Sequence, residues 1–254
     1  MKFTSLSFLP AIVLLTLVAA RTQTEDKPST RPADELRTWF KQLSDPSPDV
    51  RDKARTRLMT MPRARLAELK TIVAETRPLS AAQAVELRQI VEHVFLSGEE
   101  YLSEPRGGRG FMGVQLWPII VPESEVAADD ARGNSPERAV TRVMVSTRFP
   151  GFNAYAMLRD GDVLISVVGT NVQITSTQDV QGAIGGREPG TTIELEVQRA
   201  GQLLRVPVRL SPRPRFIDEQ NRARNPATFS VEREEAATKY WETNFAKLLD
   251  QQTM

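Results

Sequence analysis

Cysteine is absent from this 254-residue chain, and histidine occurs once, as His93. Without cysteine there is no disulfide framework, no thiolate metal site and no lipid anchor through a modified cysteine. A metal site would have to be built from oxygen alone, and Asp129-Asp130 lack the periodic ligand spacing of a calcium loop. Neither a metal nor any other cofactor is expected. An excess of charge of one sign is missing too, since 33 Lys and Arg face 32 Asp and Glu. No long-range field therefore draws the chain to nucleic acid or to an anionic membrane.

Long apolar runs are lacking except at the N-terminus. There Lys2 is followed by the uncharged stretch from Phe3 to Ala20 and then by Arg21, with small residues at Val18-Ala19-Ala20. This is the pattern of a signal peptide over 1–20, cleaved to leave an exported chain that is periplasmic or extracellular and has no membrane span. The same run is close to the shortest that can cross a bilayer, so a retained anchor is the alternative. The polar stretch 21–32, with Pro28 and Pro32, reads as a disordered linker.

Helical periodicity governs 33–100. Leu36, Trp39, Phe40 and Leu43 share one face, and Val50, Ala54 and Leu58 another, on either side of the Asp45-Pro46-Ser47-Pro48 break. Pro62 can open a helix carrying Leu66, Leu69 and Val73, and Ser80-Ala81-Ala82-Gln83 is a capping box before Leu87, Ile90, Val91 and Val94. The stretch from Ser47 to Leu58 resembles one unit of a HEAT-type repeat, but an array needs about three units. A small helical platform is expected.

Beyond Gly110 the period changes to two. Ile193, Leu195 and Val197 alternate with polar residues, and Val206, Val208 and Leu210 repeat the pattern after the Ala200-Gly201 turn, with Pro207 marking an edge strand. The acidic segment from Val121 to Pro136 reads as a long surface loop. A basic linker, 213–227, leads to a C-terminal helix over 228–251, capped by Ser230. Its stripe of Ala237, Tyr240, Trp241, Phe245 and Leu248 needs a partner surface, either on its own chain or on a second copy.

Phe111-Met112-Gly113-Val114 resembles the carboxylate-binding loop of PDZ domains, in the form found in HtrA-type periplasmic proteases. Pro150-Gly151-Phe152-Asn153-Ala154 and the run from Met157 to Gly169, centred on Arg159-Asp160-Gly161-Asp162, resemble a further segment of bacterial PDZ domains. The resemblance continues through a helix around Gln178–Ile184, a turn at Pro189-Gly190 and the two closing strands. It implies an α+β chain: a helical N-terminal region, a PDZ domain over 107–212 (a small, partly open β-barrel with two helices), and a C-terminal amphipathic helix. Two departures stand out, an insertion from Pro118 to Pro136 and the bulky Tyr155.

A glycine-containing turn that exposes consecutive N–H groups is an anion nest, and a peptide's terminal carboxylate fits it. Within the loop that starts at Phe111, the residues Met112, Gly113 and Val114 would supply those N–H groups, Gly113 being small so that the carboxylate can approach. A ligand strand would pair along Val114, Gln115 and Leu116, and its last side chain would enter a pocket bordered by Val180, Ala183 and Ile184. Arg106 and Arg109 lie just before the loop.

Catalysis is not expected. Gly133-Asn134-Ser135 is similar to the approach to the nucleophile of the related proteases, but Pro136 stands where a glycine is needed for the oxyanion turn. His93 falls on the apolar side of a helix, and too few residues remain for a separate catalytic domain. Gly185–Gly190 lacks the lysine of a phosphate loop. The expectation is an exported peptide-binding adaptor for C-termini or extended segments, with an envelope protease or chaperone among its partners. The alternative is a structural or protease-regulatory subunit whose groove is filled internally, Met254 at the chain's own end being one candidate occupant.

Overall fold

The computed structural model describes residues 32–98, 108–122, 139–170, 172–214 and 226–250. The expected signal peptide, the Gly133-Asn134-Ser135 stretch, Arg106 and Met254 lie outside them. No helix among the described residues is long and apolar enough to cross a membrane.

Proline and capping chemistry set the helices of the first third. α1 (Pro32–Gln42) and α2 (Pro48–Met59) flank the predicted break, where Asp45 accepts the Ser47 N–H and Pro48 opens the second helix. Pro62 opens a single 3-10 turn, Arg63–Arg65, and α3 (Leu66–Thr76) follows it, four residues past the proline that the sequence offers as its start. α4 (Ala81–Ser97) begins with the expected reciprocal box: Ser80 Oγ accepts the Gln83 N–H at 3.2 Å, and Gln83 Oε1 accepts the Ser80 N–H at 3.0 Å. The Gln83 amide also donates to the Phe40 carbonyl, tying α4 to α1.

A second region carries the strands β1 (Gly110–Phe111), β2 (Val114–Pro122) and β3 (Ala139–Arg148), the short helix α5 (Asn153–Met157), β4 (Val163–Val167), α6 (Thr177–Gly185), β5 (Thr192–Arg199), β6 (Gln202–Arg209) and β7 (Ser211–Pro212). The main sheet is antiparallel with order β2-β3-β4-β5-β6, and β1 pairs separately with β7. The sheet is not closed into a barrel, and the α+β arrangement expected from the sequence is present. Both β2 and β6 are edge strands, in keeping with the prolines each contains. β2 runs through Pro118 to Pro122 in register with β3, so the first part of the presumed insertion is strand rather than loop.

The chain ends in α7 (Pro226–Trp241), a π-helical turn over Glu242–Ala246 and α8 (Lys247–Asp250). Ser230 therefore lies inside the helix and not at its cap; Pro226, with its preset φ, takes the first turn instead. The apolar stripe docks on the chain itself: α7 packs on α4, burying Ala237, Trp241 and Phe245 in the core of the helical region.

Two apolar cores result, one among the helices around Phe40, Leu58, Leu69 and Leu87, the other beneath the sheet around Val145, Leu164, Leu195 and Val208. Burial on this scale, at about 1.5–3 kcal/mol per large side chain, offsets the entropy of ordering the chain. α5 belongs to both cores. Ala154 and, just past its end, Leu158 enter the sheet core, while Ala156 enters the helical one. Tyr155, the unexpected bulky residue, points to the helices and stacks on His93 at 4.9 Å.

Candidate functional site

A groove of about 570 Å³ lies between the start of β2 and α6. One wall comprises Phe111, Met112, Gly113, Val114, Gln115 and Leu116; the other comprises Thr177, Val180, Gln181 and Ile184, with Gly185 at its end. Eight of the nine residues expected from the sequence line this groove. Ala183 does not. Helical spacing turns residues 177, 180, 181 and 184 toward β2, leaving Ala183 packed at the margin of the sheet core. Met112 and Val180 line the groove but are almost wholly buried, so they serve chiefly as core.

Two arginines also line the groove. Arg109, expected from sequence, is joined by Arg213, which was read as linker. The two-residue ladder between β1 and β7 brings it there: Phe111 pairs with Ser211 and Gly110 with Pro212, so the next residue reaches the groove. The Gly110 N–H donates to the Arg187 carbonyl at 2.9 Å, anchoring β1 to the segment after α6.

Gly113 adopts φ +79°, a conformation that favours glycine. Its smallness serves a different purpose from the one expected. An added β-carbon would collide with Cβ and Cγ of Phe152 beneath the loop, so the glycine lets the loop settle on that ring. Phe152 also meets Phe111 edge to face, at 5.1 Å and 78°. The loop is held from behind by the Phe149 N–H, which donates to the Gly113 carbonyl at 2.9 Å. Among the described residues, the N–H groups of Met112 and Gly113 have no acceptor. Consecutive N–H donors without acceptors are the geometry that an anion nest needs.

Beyond the loop, β2 is an edge strand among the described residues, where its ladder is with β3. An extended chain can add there through main-chain hydrogen bonds while its side chains reach the α6 wall.

The segment 159–162 supports this arrangement without lining it. Asp162, buried to 1% exposure, accepts the Arg159 N–H at 2.8 Å and receives Arg199 Nε and Nη2 at 2.8 and 2.7 Å. Hydrogen bonding to this carboxylate raises the Arg199 pKa. Arg148, against the Tyr155 ring, donates to the Tyr155 and Leu158 carbonyls and pairs with Asp160.

His93 does not line the groove. Its Nδ1 accepts the Gly151 N–H at 2.9 Å, and the ring is also hydrogen-bonded to the Met59 backbone. Burial, aided by Arg55 and Arg148, lowers its pKa to about 3. Among the described residues, no group of three or more His, Cys, Asp or Glu is placed to hold a metal ion.

The helical N-terminal part, the five-stranded antiparallel sheet and the groove between an edge strand and a helix define an α+β, PDZ-like fold. No protein-family model matches the chain, and no curated protein matches it. Among solved structures, the HtrA-type protease AlgW with decapeptide is similar at 20% identity and a TM-score of 0.32, over 52% of this chain and 35% of that one. A variant of that protease with decapeptide gives 18% identity and a TM-score of 0.33 over the same shares, 52% and 35%. The variant with tripeptide gives 20% and 0.32, over 42% of this chain and 33% of that one. The chain thus spans about a third of the length of the proteases it matches.

Proposed function

We propose that this chain is an exported, non-catalytic adaptor in which a PDZ domain captures the C-termini or extended segments of other proteins. The captured segment is presented to a protease or chaperone supplied by another chain. The observation that carries this reading is the juxtaposition, among the described residues, of the β2 edge with a groove-lining loop whose Met112 and Gly113 N–H groups have no acceptor. A terminal carboxylate meets those donors, with Arg109 and Arg213 supplying positive charge. The ligand's last residues pair with β2, and the final side chain packs toward Leu116 and Ile184.

The setting of His93 supports the non-catalytic part. Its imidazole is buried, kept neutral and committed to the Gly151 N–H, which suits a strut rather than a general base. The uncharged run ahead of residue 21 supports export.

Fluorescence polarisation tests the reading on the chain lacking residues 1–20, using a randomised peptide pool in free-acid and amidated forms. Gln181→Trp fills the groove from an exposed position on α6 without disturbing the core. Binding that needs the free carboxylate and is lost in this variant supports capture. Equal binding of both forms, unchanged by the variant, overturns it.

A further inference from the structure

Phe152 serves two regions at once. One side of its ring is the bed on which Gly113 and Phe111 rest. At 5.2 Å from the ring centroid lies the guanidinium carbon of Arg233, a residue of α7 far along the chain. Arg233 Nη2 donates to the Pro150 carbonyl at 3.3 Å and to the Leu96 carbonyl, in the last turn of α4, at 3.2 Å.

Between these groups sits Gly151, at φ +89°. An added β-carbon would strike both Arg233 and the Leu96 backbone, and the Gly151 N–H is committed to His93. The segment 150–152 is therefore gripped by α4 and α7, and its aromatic ring supports the loop. A guanidinium over an aromatic face adds a directional attraction, and its planar fork reaches nearby carbonyls as well; a lysine cannot reproduce both.

We propose that Arg233 is a positioning residue for the loop at 111–114, fixing Phe152 and through it the geometry of the Met112 and Gly113 donors. The C-terminal helix is then a working part of the ligand site as well as a cover for the helical core. This inference rests on the capture reading, and its test separates the two.

Arg233→Gln is compared with Arg233→Lys and with Phe245→Leu, which loosens the end of the C-terminal helical segment without touching Phe152. Two quantities are measured: the ratio of free-acid to amidated peptide affinity, and hydrogen exchange without peptide at the Phe149 and Gly110 amides, whose bonds to the Gly113 and Arg187 carbonyls hold the loop. Arg233→Gln is expected to lower the ratio about three- to tenfold and to speed exchange at those amides more than at β4 and β5. Arg233→Lys is expected to recover only part of the ratio. Phe245→Leu is expected to lower the melting temperature while leaving the ratio and those amides as in wild type. If Arg233→Gln lowers the melting temperature but leaves ratio and local exchange unchanged, the positioning role is overturned. If wild type shows no preference for the free acid, the capture reading fails, and the exchange data alone decide whether Arg233 holds the loop.

Discussion

Gly113 and Phe152 are packed so closely that the loop admits no β-carbon where the glycine stands. Because Gly113 also has a positive φ, alanine there adds backbone strain to a collision. Gly113→Ala is expected to cost about 1–3 kcal/mol of stability and to weaken peptide binding. Gly182 gives the opposite case, being exposed within α6 with nothing near its absent side chain. Gly182→Ala is expected to stabilise by about 0.5–1 kcal/mol. Urea melts of both variants check the pair.

His93 ties stability to pH. Its ordinary value of 6.5 applies in the unfolded chain, whereas burial and the nearby Arg55, Arg148 and Arg233 hold it at about 3 when folded. Between those values the unfolded chain takes up a proton that the folded chain refuses. This contribution is present above 6.5 and is lost as pH falls toward 3, with a slope of up to about 1.4 kcal/mol per pH unit. His93→Gln is expected to remove that slope, seen as a narrowing gap between the two proteins' denaturation midpoints from pH 6.5 down to 4.

Asp162 and Arg199 form an ion pair with the carboxylate almost wholly buried. Asp162→Ala leaves the Arg159 N–H without its acceptor and the Arg199 guanidinium without its carboxylate, though still bonded to the Met157 carbonyl. A loss of about 2–4 kcal/mol is expected. Calorimetry should show a clear fall in melting temperature for Asp162→Ala, and one of similar size for Arg199→Ala.

The guanidinium of Arg213 bears on ligand charge. Arg213→Glu is expected to weaken free-acid peptides about tenfold at low salt and to leave amidated peptides nearly unchanged. The effect should shrink as ionic strength rises from about 0.01 to about 0.5 M, because salt screens charges that solvent still reaches, as at the half-buried Arg213. Titrations at several salt concentrations with both peptide forms check this.

Local chemistry was readable in the chain. The Ser80 box, the prolines around Asp45 and the alternation of Ile193, Leu195 and Val197 each fix structure through neighbours a few residues away. The groove was readable for the same reason, since its loop and strand are continuous from Phe111 to Leu116. What escaped depends on contacts between distant residues. Arg213 reaches the groove only because β7 pairs with β1, and Phe152 meets Arg233 only because α7 folds back on α4. Pro118 was misleading because proline signals the end of a strand, yet an edge strand tolerates it. Ala183 and Gln181 differ by half a helical turn, too fine a distinction for a helix whose boundaries were known only loosely.

The division of α5 between two cores makes the PDZ-like part a poor candidate for excision. A fragment cut at residue 107 and ended at 212 would carry Tyr155, Ala156 and Met157 without the helical surface that covers them. It would also lose the grip on Gly151 and Phe152 beneath the loop. Such a fragment is expected to expose an apolar patch, self-associate and bind peptide less well than the intact chain. Recombination that shuffled this unit into another protein would have to carry its helices along, so the natural module here is larger than its sheet.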